Sequence, residues 1–589
     1  MSNTKTDFIN SFAKWIVADD QPLSVGESKE FRAMIRVANL KLVPPDNKQL
    51  KRKLQITKES ATLKMKAFLQ GKHFSMTLDH WTSLANENYA ALTLHTIHQF
   101  ELKQLTLSCC KHEGGSTAAE MDDQLMQDLA SWTLSEDLFV ALVTDTAANM
   151  NKLGQLVEEK FPDTIHHYCA DHNLQLTSQK SYTGDIVSRL GGETARNQDD
   201  KPDVVDALKK ARDLVSHIDQ SPAAKAKLDS AQKRIFPDRP VLVLIQDVKT
   251  RWWSTYMMLE RILFLKLAIQ NMFEEEFRNR EHQNKKTALE AFALLDDEFK
   301  IIQDVVYVLA PFKNAQESLE GSKYVNLSLL PKLINTIRMT LTKNLGAANS
   351  EENPQLYAML SEMNDDFQTR WGAETTYSSR TIRGDRCRIH GVPKLAFWAS
   401  MLDPRTKNST TKIMSGADRR KLWDDMHSKI IELRRQKKVP ETGDDIAESA
   451  EKFKKKKVTK KLTSRLKVAS MFDCSSSDDE DAIAPEDAIH DEIRKQLECF
   501  KDNAKMPFLT TTDEYNCPLR WWSENWTKYN DVWDLAQQIL HISATSAPAE
   551  RVFSSASNII NKKRVRLSPE NANLLIFLKD NQDFAEWDK

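Results

Sequence analysis

The chain has 589 residues, 40% apolar and 28% charged, with 83 Lys and Arg against 84 Asp and Glu. This composition describes a soluble globular chain long enough for two to four domains, and its net charge of −1 confines any basic nucleic-acid footprint to local patches. Only 15 glycines, no apolar run near the ~18 residues of a membrane span, no cationic-then-apolar leader in residues 1–20, and seven cysteines without a Cys-x-x-Cys pair together disfavour glycine-loop nucleotide folds, membrane proteins and secreted disulfide scaffolds.

Residues 1–70 read as helices broken at Pro22 and at Pro44-Pro45, with Phe8, Phe12, Trp15 and Ile16 at helical spacing. Between Lys48 and Lys66 basic residues cluster, including Lys51, Arg52 and Lys53; they form either a solvated helix face or a phosphate-contacting one. Three strand-like runs follow: Phe74 to Leu78 in alternation with polar residues, Tyr89 to Ile97, and Gln104 to Cys109. Residues 86–88 suit a hairpin turn between the first two. A helix with Met121, Leu125 and Leu129 on one stripe is expected after a Ser116 or Thr117 cap. Phe139 to Val143 is a bare apolar run, as in a strand covered on both faces, and it leads straight into Asp145. Strand one ends near Asp79 and strand four at Asp145. Taken singly, Asp79 could close a turn and Asp145 could cap a helix starting at Ala147.

"IHHYCADHNLQL" holds His166, His167, Cys169, Asp171 and His172, which invites a zinc reading, but a tetrahedral site needs a second ligand pair and none is evident. A polar stretch, 184–203, precedes an expected strand at Val241 to Ile245 and a helix from Ser254 to Leu263. Trp252 and Trp253, between them, suit either a buried core or a flat platform on which a base stacks. Helical periodicity then runs from 264 to about 515, interrupted by basic residues 452–461 and acidic residues 475–481. Those blocks read as a localisation signal or a charged, disordered loop spanning 437–490, phosphorylatable at Ser475 to Ser477. Near the C-terminus, Thr545 or Ser546 can cap a new helix, Pro548 suits its first turn, and Val552, Phe553 and Ala556 give it an apolar face. Glu550 falls in that first turn, where a carboxylate favourably meets the helix's positive end for ~0.3–1 kcal/mol.

The stretch "SAPAERVFSSASNIINKKRVRLSPENANLLIFLKDN" (546–581) resembles the C-terminal signature of the hAT family of DNA transposases and their domesticated descendants. "TLDHWTS", "VTDTAAN" and "FWASMLDPRTK" are similar to further family landmarks, as is "FRAMIRVANLKLVPPDNKQLKRKL", although Leu40 and Ser543 stand where the family often has Pro. The resemblance implies an α/β fold: an RNase H-like catalytic core with a mixed sheet, interrupted by a large all-α insertion and preceded by a short helical segment. It divides the chain into 1–70, 71–263, 264–515 and 516–589, the last completing the core and carrying the dimerisation region. It assigns Asp79, Asp145 and Glu550 as catalytic carboxylates that hold Mg²⁺ or Mn²⁺. Arg251 and Trp252 match its Arg-Trp motif, whose Trp stacks on a displaced base. Lys562, Lys563 and Arg564 join Lys51, Arg52 and Lys53 as DNA contacts. Cys169 and His172 match a Cys-x-x-His packing element. The expected partners are DNA and a second copy of the chain, with no membrane, and the expected compartment is the nucleus. The expected chemistry is strand cleavage, hairpin formation and strand transfer. The Cys and His pairs of the family's BED zinc finger are not seen ahead of Asp79, so no zinc finger is expected, and a non-catalytic DNA-binding regulator that kept the fold is the competing expectation.

Overall fold

The computed structural model describes residues 3–82, 88–111, 117–180, 204–247, 253–283, 288–372, 379–383, 386–409, 413–437, 485–512, 515–559 and 568–587. Three helices open the chain: α1 (Asn3–Ala18), α2 (Lys29–Ala38) and α3 (Asn47–Leu69). Asp46 caps α3 by accepting the Gln49 N–H at 2.7 Å, and Leu50, Leu54, Thr57, Ala61, Met65 and Leu69 form its buried stripe.

A five-stranded sheet follows, in the order β3-β2-β1-β4-β5. Strands β1 (Phe74–Thr82), β2 (Asn88–His98) and β3 (Glu101–Lys111) pair antiparallel, and β4 (Phe139–Thr144) and β5 (Ile165–Tyr168) extend the sheet in parallel from β1. The antiparallel trio is the expected one, with β3 starting at Glu101. The two-residue turn between β2 and β3 places Gln99 (φ 50°) and Phe100 (φ 61°) in the left-handed region that such a hairpin needs, without glycine. Phe100 is anchored there by its ring contact with Trp533 at 4.8 Å. The expected turn at 86–88 lies largely outside the described residues.

Helix α4 (Ala118–Ser131) links β3 to β4 and starts with a capping box: Thr117 accepts the Glu120 N–H while Glu120 accepts the Thr117 N–H. Parallel β4 and β5 are joined by α5 (Ala148–Lys160), and α6 (Ala170–Gln179) leaves β5. Because side chains alternate along a strand, the sheet separates two cores. Phe74, Met76, Leu78, Phe139 and Leu142 pack with α3, α4 and the C-terminal helix (Pro569–Asp580), whereas Ala141 and Val143 join a helical block. Ser75, Thr77 and Asp79 point away from the first core, toward the helical block.

That block is built from helices between Val204 and Asn503, and α-helix begins as early as Val204–Gln220 and Pro222–Ile235. A fully buried ion pair, Arg405 to Asp403 at 2.6 Å, ties it together; the Arg405 guanidinium also donates to the carbonyls of Val325 and Asn516. Two expectations fail here. Val241 to Ile245 belongs to no strand: the side-chain amide of Gln232 takes both the N–H and the C=O of Leu242 at 2.9 Å, and Arg261 takes the Val243 carbonyl. Residues 485–490, placed in the charged loop by sequence, begin the helix Pro485–Asn503, whose Ile493, Leu497 and Phe500 are buried; 438–484 lie outside the described residues. Among the described residues no helix is long and apolar enough to cross a membrane.

Candidate active site

The register of the parallel strands sets the site. The last β1–β4 pair is Thr77 with Val143; Asp79 lies two residues further along β1, which runs on to Thr82 rather than ending near Asp79 as expected, and Asp145 follows the end of β4 at Thr144, so both lie beyond the same end of the parallel ladder. On the other side Asp79 is paired with Ala91 of β2, whose methyl leaves room. Asp79 Oδ1 accepts the His80 N–H at 2.7 Å. Asp145 Oδ1 accepts the Ala147 N–H at 2.9 Å and so helps to start α5, whose cap position, Ala147, has no side-chain acceptor.

Glu550 arrives from the far end of the chain, in the first turn of the helix Ala547–Ile559. Every residue from Leu540 to Ala549 is buried. This segment is stitched to the sheet: Ala170 N–H donates to the Ala544 carbonyl (3.1 Å), Asn326 Oδ1 accepts the Ala544 N–H (3.0 Å), and Cys169 N–H donates to Thr144 O (2.6 Å). Thr545 Oγ1 caps the helix through the Ala547 N–H, and Ser546 Oγ donates to Glu550 Oε1 at 3.2 Å.

The three carboxylates are electrostatically coupled. Burial pushes Asp79 well above the usual carboxylate range, and the charges of Glu550 and then Asp145 push it further. Burial likewise raises Glu550 to about 7, with Glu320 and Asp145 adding to the rise and the Ser546 hydrogen bond and Arg551 opposing it. The charges of Glu550 and Asp145 thus both act on Asp79, while Arg551 partly offsets the rise at Glu550. Oxygen donors of this kind fit a hard divalent cation. Among the described residues no three His, Cys, Asp or Glu side chains already stand close enough to share one, and each of the three carboxylates has one oxygen held by a local hydrogen bond.

Other predicted residues are placed as follows. Cys169 accepts the His172 N–H at its sulfur (3.5 Å) and caps α6, buried throughout, and the His172 ring lies in the field of Asp145. Lys51, Arg52 and Lys53 are on α3, which packs on the opposite side of β1 from Asp79, and Lys53 Nζ reaches the Trp587 carbonyl at 3.4 Å. Arg251, Trp252, Lys562, Lys563 and Arg564 lie outside the described residues. Trp253 is buried core, held at φ 58° with its ring edge-on to Tyr256.

Sequence reasoning missed the surroundings of Glu550. Asp171 is completely buried with neither carboxylate oxygen bonded, and burial, then Glu320 and Glu550, raise it well above its ordinary range. Arg551 lies in the field of Glu320, Glu550 and Asp171 and donates to the Glu320 carbonyl. The only sequence signal was adjacency: Arg551 follows Glu550, and Asp171 sits inside the Cys-x-x-His motif.

Residues 495–582 match the hAT family C-terminal dimerisation region, and residues 199–293 match the ZBED1 RNase-like helical domain. A transcriptional regulator, tpeD, of Talaromyces stipitatus is 24% identical over 98% of this chain and 62% of its own length. A maize protein named as an AC transposase is 23% identical over 86% of the chain and 56% of its own length. The human zinc finger BED domain-containing protein 4 is 23% identical, again over 86% of the chain but only 37% of its own length. The chain thus spans less than two thirds of each of these relatives. The chain carries a hAT-type dimerisation region and a ZBED1-type helical domain in one polypeptide, and it is similar to hAT transposases and BED zinc-finger proteins.

Proposed function

We propose that the chain is a nuclear, self-associating DNA-binding protein with an RNase H-like core, whose Asp79, Asp145 and Glu550 hold Mg²⁺ or Mn²⁺ for DNA strand cleavage and transfer. The observation that carries this reading is that Asp79 and Asp145 both lie just beyond the Thr77–Val143 pair of the parallel β1–β4 ladder, with the charges of Glu550 and Asp145 both acting on Asp79. The strand order β3-β2-β1-β4-β5, antiparallel then parallel, supports an RNase H-like sheet. Self-association is supported by the match to the dimerisation region, although its final helix buries Leu574, Leu575, Phe577 and Leu578 in the chain's own core.

In this reading Asp79 presents its oxygens from within β1 and Asp145 from just after β4, and Glu550 closes the set from a helix fixed by the Ala544 and Thr545 hydrogen bonds. Bound divalent metal supplies the activation of a water or 3′-hydroxyl and the stabilisation of a leaving 3′-oxygen. Ser546 keeps Glu550 turned toward the cleft, and the Asp145 bond to Ala147 fixes the start of α5. The test is nicking of supercoiled plasmid in Mn²⁺ by wild type and by Asp145→Ala. Nicking by the wild type alone is expected, and equal background from both proteins refutes the catalytic reading.

A second reading, a non-catalytic DNA-binding regulator, is favoured by one finding: the relative that covers 98% of this chain is named as a transcriptional regulator. It predicts metal-independent DNA binding that survives Asp145→Ala with no strand breakage.

A further inference from the structure

A cleft beside the first turn of the Glu550 helix is walled by the β2–β3 hairpin, the loop after Leu319 and the segment before Glu550. Its lining contains no Asp or Glu, but it does contain Lys103, Arg551, His95 and His541. In a chain of net charge −1, Lys103 and Arg551 make that lining locally cationic, while His95 and His541 are neutral. We infer that this cleft takes a phosphodiester of the bound nucleic-acid strand, a few nucleotides from the linkage at the carboxylates. The inference rests on the DNA reading above and names where the strand runs.

Three observations support it. The first is an unused donor. His541 is 3% exposed, and its Nδ1 is hydrogen-bonded to Ser75 Oγ at 3.0 Å, while Nε2 has no partner. With the Ser75 hydroxyl donating to Nδ1, Nε2 carries the hydrogen and can give it to an anionic oxygen.

The second is that the wall is already built. A Cβ at Gly321 would stand 2.2 Å from the Tyr324 ring, so only glycine lets that ring fold over the loop. Tyr324 Oη then donates to the Ser318 carbonyl at 2.9 Å, and Asn326 Nδ2 donates to the carbonyls of Leu319 and Gly321. A rim fixed this way loses little entropy when a ligand enters.

The third is the path. Asp79, Thr77 and Ser75 share one face of β1, so His541 stands over the strand roughly 13 Å from Asp79, at ~3.3 Å per residue. Thr77 and Thr93 are buried beneath this path and support its wall rather than contact a strand, with Thr93 Oγ1 2.6 Å from Thr77 Oγ1 and 2.9 Å from the Nε2 of His95, which lines the cleft. That span matches about four nucleotides of a helical strand at ~3.4 Å each.

Lys103 is free to serve because its present partner is weak. It pairs with Glu101 at 2.7 Å, but Glu101 is 68% exposed, and such surface pairs exchange easily. Arg551 faces Glu320, Glu550 and Asp171 as well as the cleft, so its charge is shared between the two sites.

The experiment is a methylphosphonate scan in EDTA, which removes one backbone charge at a time and needs no cleavage. Wild type, Lys103→Ala and Ser322→Glu are compared for DNA affinity between 50 and 200 mM salt. Ser322 is exposed at the cleft mouth, and neither substitution touches the carboxylates. In wild type, one linkage is expected to weaken binding when neutralised, and Lys103→Ala is expected to lower the salt slope by about 0.9, roughly threefold across that range. Neutralising the same linkage is expected to cost little in Lys103→Ala and to be neutral or favourable in Ser322→Glu. If every linkage costs the variants as much as wild type, the cleft assignment falls and the DNA reading stands. If wild type binds no DNA at all, both fall.

Discussion

Glu550→Gln separates a catalytic carboxylate from a helix-capping one by its effect on stability. A carboxylate that merely favoured the helix N-terminus would stabilise the fold when ionised. Here the folded protein raises Glu550 from 4.5 to about 7, mainly by burial. That gap corresponds to roughly 3 kcal/mol as an upper value. The sign follows from the raised pKa: the protonated form is preferred in the folded chain, so stability is highest below pH ~4.5, falls as pH rises to about 7, and stays low above. Gln keeps the shape, and its amide oxygen can still accept from Ser546 Oγ, but it removes the charge. Glu550→Gln is therefore expected to match wild type near pH 4.5 and to exceed it by up to ~3 kcal/mol at pH 8. Mg²⁺ at pH 8 should recover much of that difference in wild type and little in the variant. The assay is hydrogen exchange of the Ala547–Ile559 amides, read as local opening free energy, at both pH values with and without Mg²⁺. A variant less stable than wild type at pH 8, or parallel pH profiles, would refute the reasoning.

Three further outcomes follow from the same structure. His95, His167 and His541 are buried and held neutral, each lowered from 6.5 to about 3 by desolvation first. The unfolded chain binds their protons first, so stability is present above pH ~6.5 and is lost as pH falls toward 3. About 2 kcal/mol per histidine is expected to go between pH 7 and 5, measured by urea titration, and a flat profile there would contradict it. At Gly154 an added Cβ would stand 2.1 Å from the His166 ring, whose Nε2 lies 2.9 Å from Thr144 Oγ1, next to Asp145. Gly154→Ala is expected to cost ~1–3 kcal/mol by overpacking, although alanine is the better helix former; stabilisation would show that the ring has room to move. Removing Arg405 strands the buried Asp403, and Arg405→Met is expected to cost ~3–5 kcal/mol, whereas Arg405→Met with Asp403→Leu should recover much of it in urea unfolding.

Much of the sheet was legible because its signals are local. Alternation marked β1, a bare apolar run marked β4, and a cap at Ser116 or Thr117 before the Met121–Leu125–Leu129 stripe announced α4. Both Asp79 and Asp145 read as strand ends in the sequence; Asp145 does follow β4, but β1 runs three residues past Asp79 to Thr82. The segment at 241–245 misled because its apolar run is neither paired nor buried, with Val241 and Val243 exposed. A single Gln232 side chain replaced the ladder that a strand would have supplied. What surrounds Glu550 was not legible, because Glu320, Asp171 and Arg551 converge only through packing between distant helices. The basic residues on α3 illustrate the opposite limit: charge clusters by sequence, but the face on which a helix packs decides whether it meets the site.

The most direct measurement is anomalous diffraction from crystals soaked in Mn²⁺. The account predicts manganese bound by oxygens of Asp79, Asp145 and Glu550, and its loss in Asp145→Ala crystals that keep the same fold. Crystals saturated with Mn²⁺ that show no manganese among these carboxylates, with each still held by His80, Ala147 and Ser546, would contradict it.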